Sequence, residues 1–437
     1  MMVPLLLVAL AQWLPSSLAQ FLREEAPAIE KTLVSTLAGG AAGQRCATPG
    51  YRDGLASEAL FNLPARLQTV AEPGGERLYI FDIHNGCIRS LPLGLSAAAT
   101  VVRSDTPCGT ESTLAHVGPD ARTLKLGWID GPLSFKVSQD AAKIWVMDTY
   151  NNQLKVATKN VSCNSSFGPW QVIAGSGNAG TVDGPGAAAT FYQPHGMDVA
   201  EADGVAYVAD TFSSCIRSVD LRTGVVTTIA GECGKGGYRD APAGTSALAA
   251  RFNHVHQVTV DPRNKSVLYV SEVECSDDGP LGLPHRCRST AKGQYFAGVR
   301  KLELKRNGSV ASVTTIAGNG VGFADGSAVG TAQFHYVHDV AMRPVFGGSN
   351  MVEPTGSTTE LFVMDDDNNR VRRLELKRGL VSTLAGSGGS GCADGLGSKA
   401  TFSNNGAVGL AVGGDGTVYV ADYGNHRIRM VKISDGK

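Results

Sequence analysis

Val418-Tyr-Val-Ala-Asp422, followed after two residues by Asn425-His-Arg-Ile-Arg429, is the stretch that decides the fold. An aromatic between small and β-branched residues, ending on an acid, reads as a short strand; Ile-Arg after the turn reads as the start of the next. The same phrase stands five more times upstream: Leu78-Tyr-Ile-Phe-Asp82, Ile144-Trp-Val-Met-Asp148, Ala206-Tyr-Val-Ala-Asp210, Leu268-Tyr-Val-Ser-Glu272 and Leu361-Phe-Val-Met-Asp365. Each is followed by an aliphatic residue and a base: Ile88-Arg89, Leu154-Lys155, Ile216-Arg217, Val299-Arg300, Val371-Arg372 and Ile428-Arg429. A second phrase recurs between the copies, as Val34-Ser-Thr-Leu-Ala-Gly39, Val172-Ile-Ala-Gly175, Val226-Thr-Thr-Ile-Ala-Gly231, Val313-Thr-Thr-Ile-Ala-Gly318 and Val381-Ser-Thr-Leu-Ala-Gly386, with a degraded copy at Ala99-Thr-Val-Val-Arg103. Asp-Gly pairs come next (Asp53-Gly54, Asp183-Gly184, Asp325-Gly326, Asp394-Gly395), with looser counterparts at Asp130-Gly131 and Asp240-Ala241. A Phe then opens a short apolar strand, as in Phe191-Tyr-Gln-Pro-His-Gly-Met-Asp-Val199.

Each unit therefore holds four short strands, A to D, and the unit repeats six times. Four-stranded units in radial repetition are propeller blades, an all-β architecture that leaves only short edges. The Tyr-Val-Ala-Asp, Asn425-His-Arg-Ile-Arg429 and Thr-Ile-Ala-Gly phrases resemble NHL repeats across residues 32–433. That resemblance implies a six-bladed β-propeller, in agreement with the count. The chain opens on a D strand, Val34 to Ala38, with no A, B or C before it, and ends after a C strand, Arg427 to Ile433. The N-terminal strand is expected to pair onto the last blade and close the ring. The domain reading is 1–19 signal peptide, 20–31 N-terminal segment and 32–437 propeller.

Composition narrows the function. Lys+Arg (39) and Asp+Glu (40) cancel to a net charge of −1, which argues against nucleic acid and anionic membranes as partners. A 43% hydrophobic content excludes disorder. The apolar run Val3 to Ala11 with Ser16-Ser17-Leu18-Ala19 reads as a secretory leader, too short for a transmembrane segment of roughly 20 residues. Sequons at Asn160, Asn164, Asn264 and Asn307 fit a secreted or lumenal glycoprotein. Of the 9 cysteines, matching positions in two blades suggest Cys87–Cys108 and Cys215–Cys233 bridges, and Cys275–Cys287 would staple an insertion. Cys46 and Cys392 lie in D–A loops of neighbouring blades and can pair, which leaves Cys163 over.

A feature present in all six units serves the ring, so the strand-B acids read as turn caps that meet the strand-C base, the aromatics as interblade core and the Asp-Gly pairs as tight turns. Departures from the repeat carry the functional reading. Counted from the strand-A Phe, His195, His256 and His338 occupy the same position in three successive blades, where the last blade has Gly406 and the first Ala65. Three imidazoles leaving an open position describe a zinc site. Pro194-His195-Gly196 also resembles the peptide-amidating lyases, propeller relatives that bind zinc with three His; Tyr336 and Asp339 are the local groups able to move protons. The other reading of the trio is polar channel lining without metal. Insertions depart too, Val273 to Arg288 over the same mouth and Pro344 to Thr359 on the opposite face. The expectation is a secreted module that binds a protein, glycan or small ligand on this top face. A metal-dependent lyase or hydrolase at the channel mouth is the alternative, and a structural extracellular component the third reading.

Overall fold

The computed structural model describes residues 31–40, 46, 48–94, 101–104, 134–160, 166–167, 169–273, 296–345, 359–403 and 406–434. They form six antiparallel sheets. Strand A of each blade packs against strand A of the next, and the last, Gly409–Val412, against the first, Pro64–Glu72, so the ring is closed. Lys31–Ala38 supplies the missing D strand of blade 6, antiparallel to Arg427–Ser434 with Val34 opposite Val431. Among the described residues there is no α-helix, only three-residue 3-10 turns.

Strand B alternates side chains between its two faces, so a central aromatic on every copy reaches a neighbouring blade. Six apolar clusters result, one per blade interface, and each holds one of Tyr79, Trp145, Tyr207, Tyr269, Phe362 and Tyr419. The strand-A Phe residues Phe61, Phe191, Phe252, Phe334 and Phe402 are fully buried in the same clusters.

The strand-C arginines are the second repeated element. Arg89, Arg217, Arg300, Arg372 and Arg429 have no exposed surface. A buried guanidinium needs a carboxylate and acceptors for its remaining N–H groups. In blade 3, Arg217 Nη1 donates to Asp210 at 2.8 Å and to the Thr190 carbonyl at 3.1 Å, while Nη2 donates to Asp183 at 2.7 Å and to the Val182 carbonyl at 3.0 Å. The guanidinium lies 5.3 Å from the Phe191 ring centroid. Asp53, Asp240, Asp325 and Asp394 stand in for Asp183 in their own blades. The Asp of the Asp-Gly pair is thus a node of the ion network as well as a turn residue. Blade 2 carries Lys155, which reaches Asp148 at 2.6 Å.

One detail of the blades differs from a four-stranded unit. Gly54–Leu55, Gly184–Pro185, Gly326–Ser327 and Gly395–Leu396 form two-residue strands outside strand D. The loop entering each of these blades runs along its outer edge before turning inward, and covers an edge that would otherwise be open. Positive φ at Gly54 (135°), Gly184 (148°), Gly326 (130°) and Gly395 (146°) makes that path one for glycine.

At the hub, strand A has a free inner edge whose backbone groups need partners. Side chains of adjacent blades supply them. Gln68 makes two hydrogen bonds with Val137 backbone at 2.7 and 2.9 Å, Asp198 accepts from Val260 N–H at 2.9 Å, Thr259 donates to the Val340 carbonyl at 2.7 Å, and Asp339 accepts from Leu410 N–H at 2.8 Å. Disulfide Cys46–Cys392 joins two loops, and Cys215–Cys233 ties the start of strand C in blade 3 to the loop after its strand D. Cys87 is buried; Cys108, Cys163, Cys275 and Cys287 lie outside the described residues, as do the leader and most of both insertions.

Candidate functional site

Strand A enters the ring through a β-bulge. In blade 4 the pairing skips from Val255 to Gln257 and in blade 5 from Val337 to Asp339, so His256 and His338 are the extra residues. In blade 3, His195 N–H donates to the Ala209 carbonyl at 3.1 Å while Ala209 N–H donates to the Gly196 carbonyl at 2.8 Å, which again sets two residues against one. A bulge bends the strand and re-aims a side chain; here it turns three imidazoles to one mouth of the channel. Gly196 permits this closeness, since a Cβ there would lie 2.2 Å from the His256 carbonyl oxygen. In blade 1 the bulged residue is Ala65. In blade 6, Val408 N–H donates to the Ala421 carbonyl while Gly409 pairs with Ala421, so Val408, rather than Gly406, is the counterpart of the histidines.

The three rings stand in a row. His195 and His256 have centroids 5.0 Å apart with Nδ1 atoms at 3.5 Å, and His256 and His338 have centroids 5.0 Å apart. Tyr336 bonds its hydroxyl to His256 Nε2 at 2.7 Å. Phe212, 6.0 Å from His195, extends the row to Tyr192 and His254 at 5.5 and 5.3 Å. Seven rings from blades 3 to 5 thus make one continuous band. Burial pushes the His256 imidazolium pKa well below its usual value, with neighbouring imidazoles adding to the effect. His338 is pushed down to about 3 by burial and then by Arg66. Both rings are neutral at pH 7.

Tyr336 and Asp339 have separate roles. Burial raises the Tyr336 phenol pKa, as do Asp366 and Asp367. Asp339 sits deeper, buried, in an ion pair with Arg66 at 2.9 Å, and its carboxylate accepts from Val340 and Leu410 N–H. Lys136 and Asp198 make a matching pair at 2.7 Å. Both pairs line a channel cavity of about 140 Å³ on the far side of the bulges.

Zinc ligands at roughly 2.0–2.1 Å from the ion stand about 3.4 Å from each other in a tetrahedron, close to the His195–His256 separation. Among the described residues, however, no three His, Cys, Asp or Glu side chains are grouped to hold one ion. The donors supply a pair, and no chemical step is derived through a metal. Asn264 and Asn307 are exposed in turns, each accepting the N–H of the Ser two residues on; the side chain of Asn160 and the whole of Asn164 lie outside the described residues. No helix among the described residues is long and apolar enough to cross a membrane.

The comparisons agree with this architecture. The NHL repeat family model matches residues 404–429, the blade-6 stretch from which the sequence reading started. SUPPRESSOR OF QUENCHING 1, chloroplastic, of Arabidopsis thaliana is 25% identical over 67% of this chain and 30% of its own length. NHL repeat-containing protein 2 of Homo sapiens is 25% identical over 69% of this chain and 46% of its own length. The chain thus spans less than half the length of either relative. Among solved structures, an auxiliary nutrient binding protein of Bacteroides thetaiotaomicron superposes with a TM-score of 0.59 at 15% identity, over 93% of this chain and 77% of that one. A putative phosphatase of the same organism gives 0.61 at 15% identity, over 93% and 79%. Six sheets in a closed ring, each built on the same recurring phrase, make the chain an NHL-repeat β-propeller.

Proposed function

We propose that this protein is a ligand-binding propeller of an extracytoplasmic compartment, and that its binding site is the ring-lined mouth of the channel. The observation that carries the reading is the band from Tyr192 through His195, His256 and Tyr336 to His338. Its seven named rings belong to blades 3 to 5, whereas the features that hold the ring together recur in five or six blades. Partly buried aromatic and imidazole faces with a few polar groups are the usual lining of small-ligand sites. A neighbour in fold described as a nutrient-binding protein is consistent with it. The leader, the sequons and the disulfides support an oxidising compartment.

The test is a thermal-shift screen against glycan, amine, organic-acid and peptide libraries, repeated with Phe212→Ser and His254→Ser, two half-buried rings outside the blade core. A hit whose shift falls at least threefold in both variants supports the mouth as the site. Hits indifferent to both substitutions overturn it. The metal-dependent lyase or hydrolase retains one favouring observation, the 3.5 Å approach of His195 and His256. One equivalent of zinc in the purified protein, lost in His195→Ala, would move the reading to that class. Stable self-association with no ligand would move it to a structural component.

A further inference from the structure

The residue after the strand-B acid has a fixed duty around the ring. Ile83, Val273 and Tyr423 fill it with buried apolar bulk. Thr149 and Thr211 instead staple the next blade, donating to the Pro194 carbonyl at 2.8 Å and to the Val255 carbonyl at 2.7 Å. Blade 5 has Asp366 there. Its backbone N–H donates to the Tyr336 carbonyl at 2.8 Å, and its carboxylate sits against Gly406 of blade 6, both oxygens 3.0 Å from where a Cβ would be. The Asp366 carboxylate has no hydrogen-bond or ion-pair partner among the described residues.

The first acid of the same turn is fully engaged. Asp365 takes Arg372 at 2.6 Å, Asn368 and the His335 N–H. Asp367 faces His335 Nδ1 at 3.6 Å in solvent. Of the three acids Asp366 alone is half-buried with no partner among the described residues, beside a Tyr336 ring whose centroid is 5.0 Å from His256 and 5.6 Å from His338. An unpaired carboxylate at the edge of aromatic faces is costly to the fold and fitted to a ligand that brings its own positive charge, held by the carboxylate and by the ring quadrupoles. Burial, reinforced by Asp367 and Asp365, holds the Asp366 pKa well above the usual carboxylate value, consistent with a missing counter-charge.

We propose, resting on the mouth as the binding site, that the ligand presents an organic cation, an ammonium or guanidinium group, which docks on Asp366 against the ring band of Tyr336, His256 and His338. The neutral imidazoles offer faces without repelling it.

Isothermal titration at low salt with n-butylammonium and n-butylguanidinium, against n-butanol and butyrate of the same length, tests the charge requirement. The cations should bind at least tenfold more tightly than either control, and Asp366→Asn should remove that preference while its unfolding midpoint stays at or above the wild type. Butanol binding as well as butylammonium, or an unchanged preference in Asp366→Asn, overturns the proposal. A second arm uses Ac-Gly-Lys-Gly-amide beside its norleucine analogue. Tenfold tighter binding of the lysine peptide than of butylammonium assigns the cation to a protein side chain, and equal binding assigns it to a free amine. Loss of the library hits in Phe212→Ser but not in Asp366→Asn would sink the cation alone; indifference to both would sink the mouth reading itself.

Discussion

Replacing Asp366 by Thr should stabilise this protein, and the size of the effect follows from its neighbours. Thr149 and Thr211 show what the position does when it serves the ring, with hydroxyl-to-carbonyl bonds of 2.8 and 2.7 Å to strand A of the next blade. The equivalent acceptor in blade 6 is the Ala407 carbonyl, one residue before the bulged Val408. Removing an unsatisfied, half-buried polar group recovers about 1–3 kcal/mol, and a new hydrogen bond adds about 0.5–1.5 kcal/mol. Some is lost to imperfect fit, so a net gain of about 2 kcal/mol is expected. Most substitutions destabilise by about 1 kcal/mol, which makes the sign alone diagnostic. The assay is urea unfolding of wild type, Asp366→Thr and Asp366→Asn at pH 8 and pH 5. Because the folded-state pKa of Asp366 is raised by burial and by Asp367, the wild type gains stability as pH falls through that pKa. The gap between wild type and variant should therefore be widest at pH 8 and should narrow at pH 5. A threonine variant less stable than wild type by 1 kcal/mol or more at pH 8, with an unchanged m-value, would refute the reasoning.

Two further outcomes are expected. Arg217→Lys should cost about 2–4 kcal/mol, because an ammonium cannot span Asp210, Asp183 and the Thr190 and Val182 carbonyls, and buried acceptors are left unpaired; a change within about 0.5 kcal/mol in denaturant unfolding would show that the forked contacts carry little. His338, with its folded pKa at about 3 against roughly 6.5 unfolded, favours the folded state while neutral, so its contribution is complete above pH 6.5 and drains as pH falls toward 3. Between pH 6.5 and pH 5 that amounts to about 1–2 kcal/mol, and His338→Gln should flatten this part of the stability profile; parallel profiles for the two proteins would count against it.

The period-2 alternation and the repeat make the sheet-level architecture readable in the sequence. Aromatic residues on strand B have one face to bury, and an unpaired D strand at one end with an unpaired C strand at the other leaves closure as the natural pairing. The acid–base meeting of strands B and C was legible for the same reason, since six copies repeat it, five of them at a spacing of 7 residues. What escaped lies outside the recurring phrases. The Asp of each Asp-Gly pair read as a turn residue, because its arginine is some 35–60 residues away in sequence. Bulges were invisible, since an inserted residue breaks the alternation that locates strands. For that reason the blade-6 counterpart was placed at Gly406, two residues short of Val408, in a loop longer than its siblings. Asp366 is hidden inside the run Asp365-Asp366-Asp367, where the first acid satisfies the repeat and nothing in the spacing separates its neighbours from an ordinary solvated turn.

The ring also explains how such a carboxylate can be tolerated. Each of five blades is pinned by a fully buried arginine shared between its own strand-B acid and the loop covering its outer edge, while six apolar interfaces and the hub hydrogen bonds tie neighbour to neighbour. In blades 1 and 6 the residue after the strand-B acid and the bulged residue of strand A belong to an apolar interface, as Ile83, Tyr423, Ala65 and Val408, whereas in blades 3 to 5 neither position takes part in these contacts. In blades 3 to 5 substitutions at those two places leave the buried arginines and the apolar interfaces intact, so their cost stays local and close to the figure for one unpaired group. They are also the places that face the mouth. In blades 3 to 5 these positions can vary without loosening the ring, and there they have departed: imidazoles at the bulge in all three, and in blade 5 a carboxylate at the turn as well. Two departures on one rim, each unfavourable or neutral for folding, are better accounted for by a common ligand than by separate drift, and the titration of cations against Asp366→Asn decides between the two.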